Sequence, residues 1–457
     1  MSLRNLFLIT FSTVFSALTI VSADNFPYSQ SPPGGLKPEE CPMFVCFGFD
    51  DNAYADGIKW FRELVKDKKN PAGSGNPLTY DGAPVRATFF CTGNYGQSNP
   101  AVESEWKLLV QDGHEIANHS WDHPHGNALT TEQWSAQIQQ TNTYLTNQIG
   151  VNAYEITGFR TPFLEYSPNT MQALLSNGIK FDCSIEFGFN GWTPIEGDPD
   201  WPPESSGVWY NSMTKPETHQ KLFWPHTLDN GSPPGHSAQG NPKIPGLWEV
   251  NVYTYLRPDN SGVVTGFDFN IWTTATKDYF VNLMKHNYDQ RYKGNRNPLT
   301  VNAHTDYYTK DNADAEAAFP NANWEARRQA IEGFLDYILQ KPETRVVPYS
   351  DMLKWIKNPV ALGQTENMQN VSSDHNTDPF KIKSFARNKV EFSVPTSDVY
   401  TLSIQTVQGR IITQKSRFFN ARNSHRISFN ESLARGAYVV RISNGKESAV
   451  KKSVFIQ

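Results

Sequence analysis

Short apolar runs alternate with longer amphipathic stretches from residue 42 to about residue 357. Residues 43–49 and 85–91 are apolar and end in turn-forming polar residues, the pattern of buried parallel strands. Residues 102–111 space their apolar positions for a helix, with Gly113 where a C-cap falls. Residues 114–119 alternate as a short strand, and residues 130–149 read as a long helix with one polar face. Further strands are expected at 156–160, 179–184, 247–253, 299–304 and 346–349. Residues 324–339 predict an amphipathic helix with Trp324, Ile331, Phe334, Leu335 and Ile338 on one side. Such alternation predicts an α/β fold around a parallel sheet, open or closed into a barrel.

Three segments depart from this rhythm. Residues 186–246 are rich in Pro, Gly, Asn and Trp, including Trp192, Trp201, Trp209 and Trp224, with no sustained period. They read either as a substrate-binding insertion or as a plain surface loop. Residues 361–379 form a polar linker, after which short alternating segments at 400–405, 410–414 and 437–443 predict a small antiparallel β-sandwich. At the N-terminus, Arg4, an apolar stretch over 6–21 and the small residues Ser22 and Ala23 predict a secretory signal cleaved after Ala23. The expected organisation is a signal at 1–23, an α/β domain at 24–360, a linker at 361–379 and a β-sandwich at 380–457.

Charge separates the last unit from the rest. Residues 380–457 hold 14 Lys or Arg and 4 Asp or Glu, a net +10, against −15 for the remainder of a chain whose total is −5. The overall balance of 41 basic and 46 acidic residues argues against nucleic acid as a partner. No run after the signal reaches the ~20 apolar residues that span a bilayer. Export permits disulfides among Cys41, Cys46, Cys91 and Cys183, and three pairings are open. A thiolate zinc site is the rival, disfavoured because no close Cys-x-x-Cys pair exists. Twelve Trp, 19 Tyr and 28 Phe supply rings that either fill the core or stack on sugars.

Six residues carry chemistry: Asp50, Asp51, His119, His123, Arg160 and His304. All fall at or just beyond the carboxyl ends of expected strands, where such folds build their sites. Two adjacent carboxylates after a buried strand cannot both be core, so one must face solvent, a ligand or a metal. A carboxylate with two neutral imidazoles is a common three-ligand set for a divalent ion that keeps a position open.

With these residues placed, the chain resembles the polysaccharide deacetylases of carbohydrate esterase family 4, the NodB-homology fold, over about residues 42–358. Phe49-Asp50-Asp51 looks like the first motif, His119-Ser120-x-x-His123 the second, Arg160-Thr161-Pro162-Phe163 the third, and His304 after its strand the fifth. Residues 222–228, 248–250 and 280–292 look like the chitin deacetylase branch known from insects. The resemblance implies a distorted (β/α) barrel of the NodB deacetylase type and a divalent metal, most commonly Zn2+, on Asp51, His119 and His123. It implies Asp50 as general base, Arg160 holding Asp50 ionised, His304 as general acid and the Phe163 backbone N–H at the oxyanion. The fourth motif departs from the family: Asp182-Cys183-Ser184-Ile185 lacks a second Asp, leaving Asp182 as the candidate partner of Arg160 and Trp192 as a candidate hydrophobic wall. Asn302 stands where the family often has Leu, which suggests a wetter pocket beneath the acid.

The tail, through residues 433–441 and 451–457, resembles the C-terminal sorting domains of the type IX secretion pathway. Its rival is a carbohydrate-binding module using Tyr400 and Tyr438. The function expected is a secreted or cell-surface deacetylase of N-acetylglucosamine polymers, partnered by an acetylated polysaccharide and by secretion machinery. The alternatives are an acetylxylan esterase on the same site and a catalytically silent glycan-binding protein.

Overall fold

The strand Met43–Asp50 (β1) is buried along its whole length, and its side chains sort by parity. Met43, Val45, Phe47 and Phe49 enter one apolar cluster, with Phe61, Phe89, Trp106 and Phe334. Phe44 and Cys46 enter a second, with Phe90, Phe181, Tyr349 and Trp355. Gly48 and Asp50 continue this second face, so period two delivers the Asp50 carboxylate to the interior of the sheet's curl.

The computed structural model describes residues 24–187, 222–233, 241–259 and 263–363, together with strands of the C-terminal module between 381 and 452. The signal at 1–23, Trp192, Trp201, Trp209, most of the linker, and residues 431–437 and 453–457 of the sorting-like tail lie outside the described residues. Among those described, β1 is joined by Thr88–Cys91 (β2), Glu115–Asn118 (β3), Gly158–Phe159 (β4) and Phe181–Asp182 (β5) in one sheet. The order is Leu299–His304, β1, β2, β3, β4, β5, Ile244–Glu249, His226–Leu228, with Thr344–Val346 also on β1. Every pairing is parallel except the last, between Ile244–Glu249 and His226–Leu228. The sheet curls into a half-barrel clad by helices, among them Pro100–Gln111, Thr131–Tyr144, Lys277–Lys293 and Trp324–Leu339.

The expected strands at 156–160 and 179–184 shrink to the two-residue β4 and β5. The run 247–253 divides into Ile244–Glu249 and Val252–Tyr253, which pair with different neighbours. Tyr349, expected at a strand end, opens the helix Tyr349–Lys357 instead. Pro348 explains this, since its missing N–H suits a helix entrance and ends a ladder.

The C-terminal module is two antiparallel sheets. One holds Lys381–Ala386, Lys389–Ser393 and Ser424–Ser428; the other Ile411–Phe419, Asp398–Thr406, Tyr438–Ser443 and Ser448–Lys452. Val390 and Phe392 from the first meet Leu402, Ile404, Val440 and Ile442 from the second in one core. Tyr400 is fully buried there, which removes it as a sugar platform; the side chain of Tyr438 lies outside those described. No disulfide forms: all four cysteines are buried free thiols. No described helix is long and apolar enough to cross a membrane.

A Cβ on Gly48 would lie 2.9 Å from the Tyr349 hydroxyl and 3.1 Å from the Phe90 ring. Gly48→Ala should therefore destabilise the chain by about 1–3 kcal/mol, the usual scale of core overpacking, as read by urea unfolding. Unchanged stability would show that the Tyr349 helix yields freely.

Candidate active site

The backbone reverses immediately after β1. Asp51 and Asn52 have φ of 63° and 62°, left-handed values that Asp and Asn tolerate better than other side chains. Hydrogen bonds hold the turn. Asn52 Nδ2 donates to the carbonyls of Phe49 at 2.9 Å and Phe90 at 3.0 Å, and Asn52 Oδ1 accepts from Thr305 Oγ1 at 3.0 Å. Asp306 Oδ1 accepts from the N–H groups of Ala53 and Tyr54. The result sends adjacent carboxylates different ways, Asp50 inward and Asp51 into a cleft.

His119 and His123 follow β3, with Ser120 and His123 also left-handed. His119 Nδ1 lies 2.7 Å from the Arg160 carbonyl, which can only accept, so Nδ1 carries the proton and Nε2 a lone pair. That lone pair faces Asp51 Oδ1 at 3.5 Å, and His123 Nε2 faces the same oxygen at 3.2 Å. Asp51 Oδ1 is buried without a hydrogen-bond partner. Burial, with His123 beside it, pushes His119 well below the ordinary histidine range, and burial lowers His123 despite Asp51. One donor atom from each of the three residues lies within 4.8 Å of the others. The His119 lone pair and the orphaned carboxylate oxygen it faces repel one another unless a cation sits between them. The set fits a divalent ion.

Asp50 is 3% exposed and receives Arg160 Nη1 at 2.6 Å. Burial raises its carboxyl to about 6 against the pull of Arg160 and His304. Asp182 does not hold Arg160. It accepts from Ser184 N–H and Oγ at 2.9 and 2.8 Å, and Ser184 Oγ accepts from Thr161 N–H at 2.8 Å. Asp182 thereby braces, through Ser184, the start of the loop that carries Phe163. Arg160 is met instead by Cys183, Tyr349 and Asn302. Asn302 is 2% exposed and fully engaged, so it does not wet the pocket.

His304 closes the site. Its Nδ1 lies 2.8 Å from Asp268 Oδ1, and its backbone N–H donates to Asp268 Oδ2 at 3.0 Å. Burial alone would lower this imidazole, but Asp268, helped by Asp51 and Asp50, raises it to about 9. Asp268 opens the short helix Asp268–Trp272 and stands in no motif that sequence reading could have used. The cleft above these groups encloses about 470 Å3, and Glu186, Phe269 and Tyr307 also line it. Phe163 is 55% exposed at its rim and stacks on His125 at 4.2 Å. Trp224 is not a cleft residue: it is 3% exposed and stacks 6.2 Å from Trp355 in the apolar core.

The cleft lies at the carboxyl ends of the strands of a parallel half-barrel. Residues 81–181 match the polysaccharide deacetylase family model, and residues 386–457 match the secretion system C-terminal sorting domain. The chain is 25% identical over 350 residues to chitin deacetylase 8 of Bombyx mori, covering 74% of this chain and 76% of that protein. It is 23% identical over 353 residues to chitin deacetylase 1 of the same organism, covering 74% of this chain and 55% of that longer protein. A solved structure from Mycobacterium smegmatis, assigned as a polysaccharide deacetylase, aligns over 72% of this chain and 95% of that one, with TM-score 0.44 and 12% identity. The chain thus carries a polysaccharide deacetylase domain with chitin deacetylase homologues, an amide-bond hydrolase. Its sorting domain marks an exported bacterial protein.

If Asp268 sets the His304 proton affinity, Asp268→Asn should lower the His304 pKa from about 9 towards the ordinary value near 6.5. NMR titration of the imidazole reads this directly. A pKa that stays near 9 would assign the shift to Asp50 and Asp51.

Proposed function

We propose that this protein is a secreted, metal-dependent deacetylase of N-acetylglucosamine polymers of the chitin type. One observation carries the reading: Asp50 and His304 are register partners on adjacent parallel strands, and the cleft they share also holds Asp51, His119 and His123. A base and an acid thus flank one ligand set. The names of the Bombyx mori relatives favour chitin over other acetylated glycans.

In this reading Asp51, His119 and His123 would hold a divalent ion, most commonly zinc for such a set, and when bound it would supply Lewis acidity to a water and to an acetyl carbonyl. Asp50 takes a proton from the attacking water. Arg160 keeps that carboxylate oriented through the 2.6 Å bond. The backbone N–H of Phe163 donates to the developing oxyanion. His304, held by both oxygens of Asp268, gives its proton to the departing nitrogen. Residues 1–23 act as the secretory signal, and residues 361–379 join the catalytic domain to a sorting domain that hands the enzyme to the secretion machinery.

Acetate release from chitin oligomers, acetylxylan and peptidoglycan, with and without chelator, tests the assignment. Chitin oligomers should be the best substrate and chelator should abolish turnover. Asp50→Asn should keep a full equivalent of metal yet lose activity by about 10² or more. Preference for acetylxylan, or near-normal turnover in Asp50→Asn, would refute the reading.

The tail supplies an independent test. A chain ending near Gly363 should fold and keep its activity, because a polar linker buries little apolar surface. In the native host, deletion of residues 380–457 should strand the enzyme in the periplasm. Normal export of the truncated protein would dismiss the sorting role.

A further inference from the structure

Arg160 is completely buried, and its guanidinium plane is fixed at three corners. Nε donates to the Cys183 carbonyl at 2.9 Å, Nη1 to Asp50 Oδ1 at 2.6 Å and Nη2 to Asn302 Oδ1 at 2.6 Å. The guanidinium carbon lies over the Phe90 ring, 4.3 Å from its centre. Nη2 also reaches the Tyr349 hydroxyl at 3.2 Å and the Cys183 thiol at 3.0 Å, both weaker acceptors than an amide oxygen.

The orientation of the Asn302 amide follows from its partners. Its Oδ1 accepts from Arg160 Nη2 and from the Tyr349 hydroxyl at 3.1 Å, while its Nδ2 donates to the Gly266 carbonyl at 3.0 Å. A flipped amide would set N–H against guanidinium and oxygen against carbonyl. A carboxylate in its place would face the Gly266 carbonyl and give Arg160 a second anion. As a neutral acceptor, Asn302 leaves Asp50 as the one carboxylate hydrogen-bonded to Arg160 among the described residues.

The backbone joins these roles. Asn302 pairs with Gly48 in the same register that pairs His304 with Asp50, and period two puts Asn302 and His304 on one face of their strand. We propose that Asn302 is a positioning residue for deacetylation, locking the Arg160 plane so that Asp50 points at the attacking water. This inference rests on the function proposed above and goes beyond it, because Asn302 lies beneath the cleft and is not among the residues that line it.

The test is a double-mutant cycle on the metal-loaded, full-length enzyme, with the best substrate from the acetate-release panel. Asn302→Leu, a near-isosteric change without an acceptor, should keep a full equivalent of metal. Its kcat should fall about tenfold to a hundredfold with KM within about twofold, the scale of a misplaced catalytic group. Placed on Asp50→Asn, where no base remains to be aimed, Asn302→Leu should cost no further activity. Asn302→Thr, a strand former whose hydroxyl is too short to reach Arg160, should give the same pattern and replaces the leucine variant if that does not fold. A kcat within twofold of wild type, or an equal loss on the Asp50→Asn background, overturns the inference while the proposed function stands. A wild-type enzyme inactive on every substrate overturns both.

Discussion

The interior of the half-barrel is organised around one buried guanidinium. A charge withdrawn from water is tolerated only when paired and hydrogen-bonded, and breaking such a pair typically costs about 3–5 kcal/mol. Arg160 therefore draws four parts of the chain together: the end of β1, the segment after β5, the strand bearing Asn302 and the helix that begins at Tyr349. Gly48 belongs to the same arrangement, since any side chain there would displace the Tyr349 hydroxyl. Fold stability and the aim of the proposed base consequently depend on one set of bonds.

Around this anchor the backbone is strained in a localised way. Among the described residues eight non-glycine positions have left-handed φ, and six of them, Asp51, Asn52, Ser120, His123, Phe163 and Leu164, follow β1, β3 and β4. Strain of this kind persists only where surroundings over-determine it, and it gathers at functional sites. Asn52 shows how it is held, with both carbonyls it binds coming from strand ends. Ser120 is similar, its N–H donating to Asn118 Oδ1 at 2.8 Å. The reversals let β1 and β3, which β2 separates, point Asp51, His119 and His123 at a common point.

How far the site could be read from the chain depended on whether a residue's partner was near in sequence. Asp50-Asp51 and the His119/His123 pair announce themselves because unlike neighbours at the end of an apolar strand have no place in a core. Asp268 gave no such signal: it meets His304 across 36 residues through a short helix. Asn302, expected to wet the pocket, instead spends both ends of its amide on Arg160 and Gly266. Asp182 and Trp224 were misjudged for the opposite reason. Their residue types suit a site, but local hydrogen bonds give Asp182 to Ser184, and apolar packing gives Trp224 to Trp355. Burial likewise left the four cysteines as separate thiols, although export would have allowed them to pair.

By itself the amino-acid sequence determined the alternation of strands and helices, the separate basic β-module and the residue types of the site. Each of these is a local property: hydrophobic period, charge composition, or a motif read along a few residues. The tertiary structure decided which residue serves which. It set the Asp50–His304 register, the tautomer of His119, the exchange of Asp182 for Asn302 beside Arg160, and the contact that raises His304 to about 9. The physical reason is that hydrogen bonds and electrostatic shifts depend on distance and burial. Both are set by strands brought side by side from positions up to 254 residues apart, as Asp50 and His304 are.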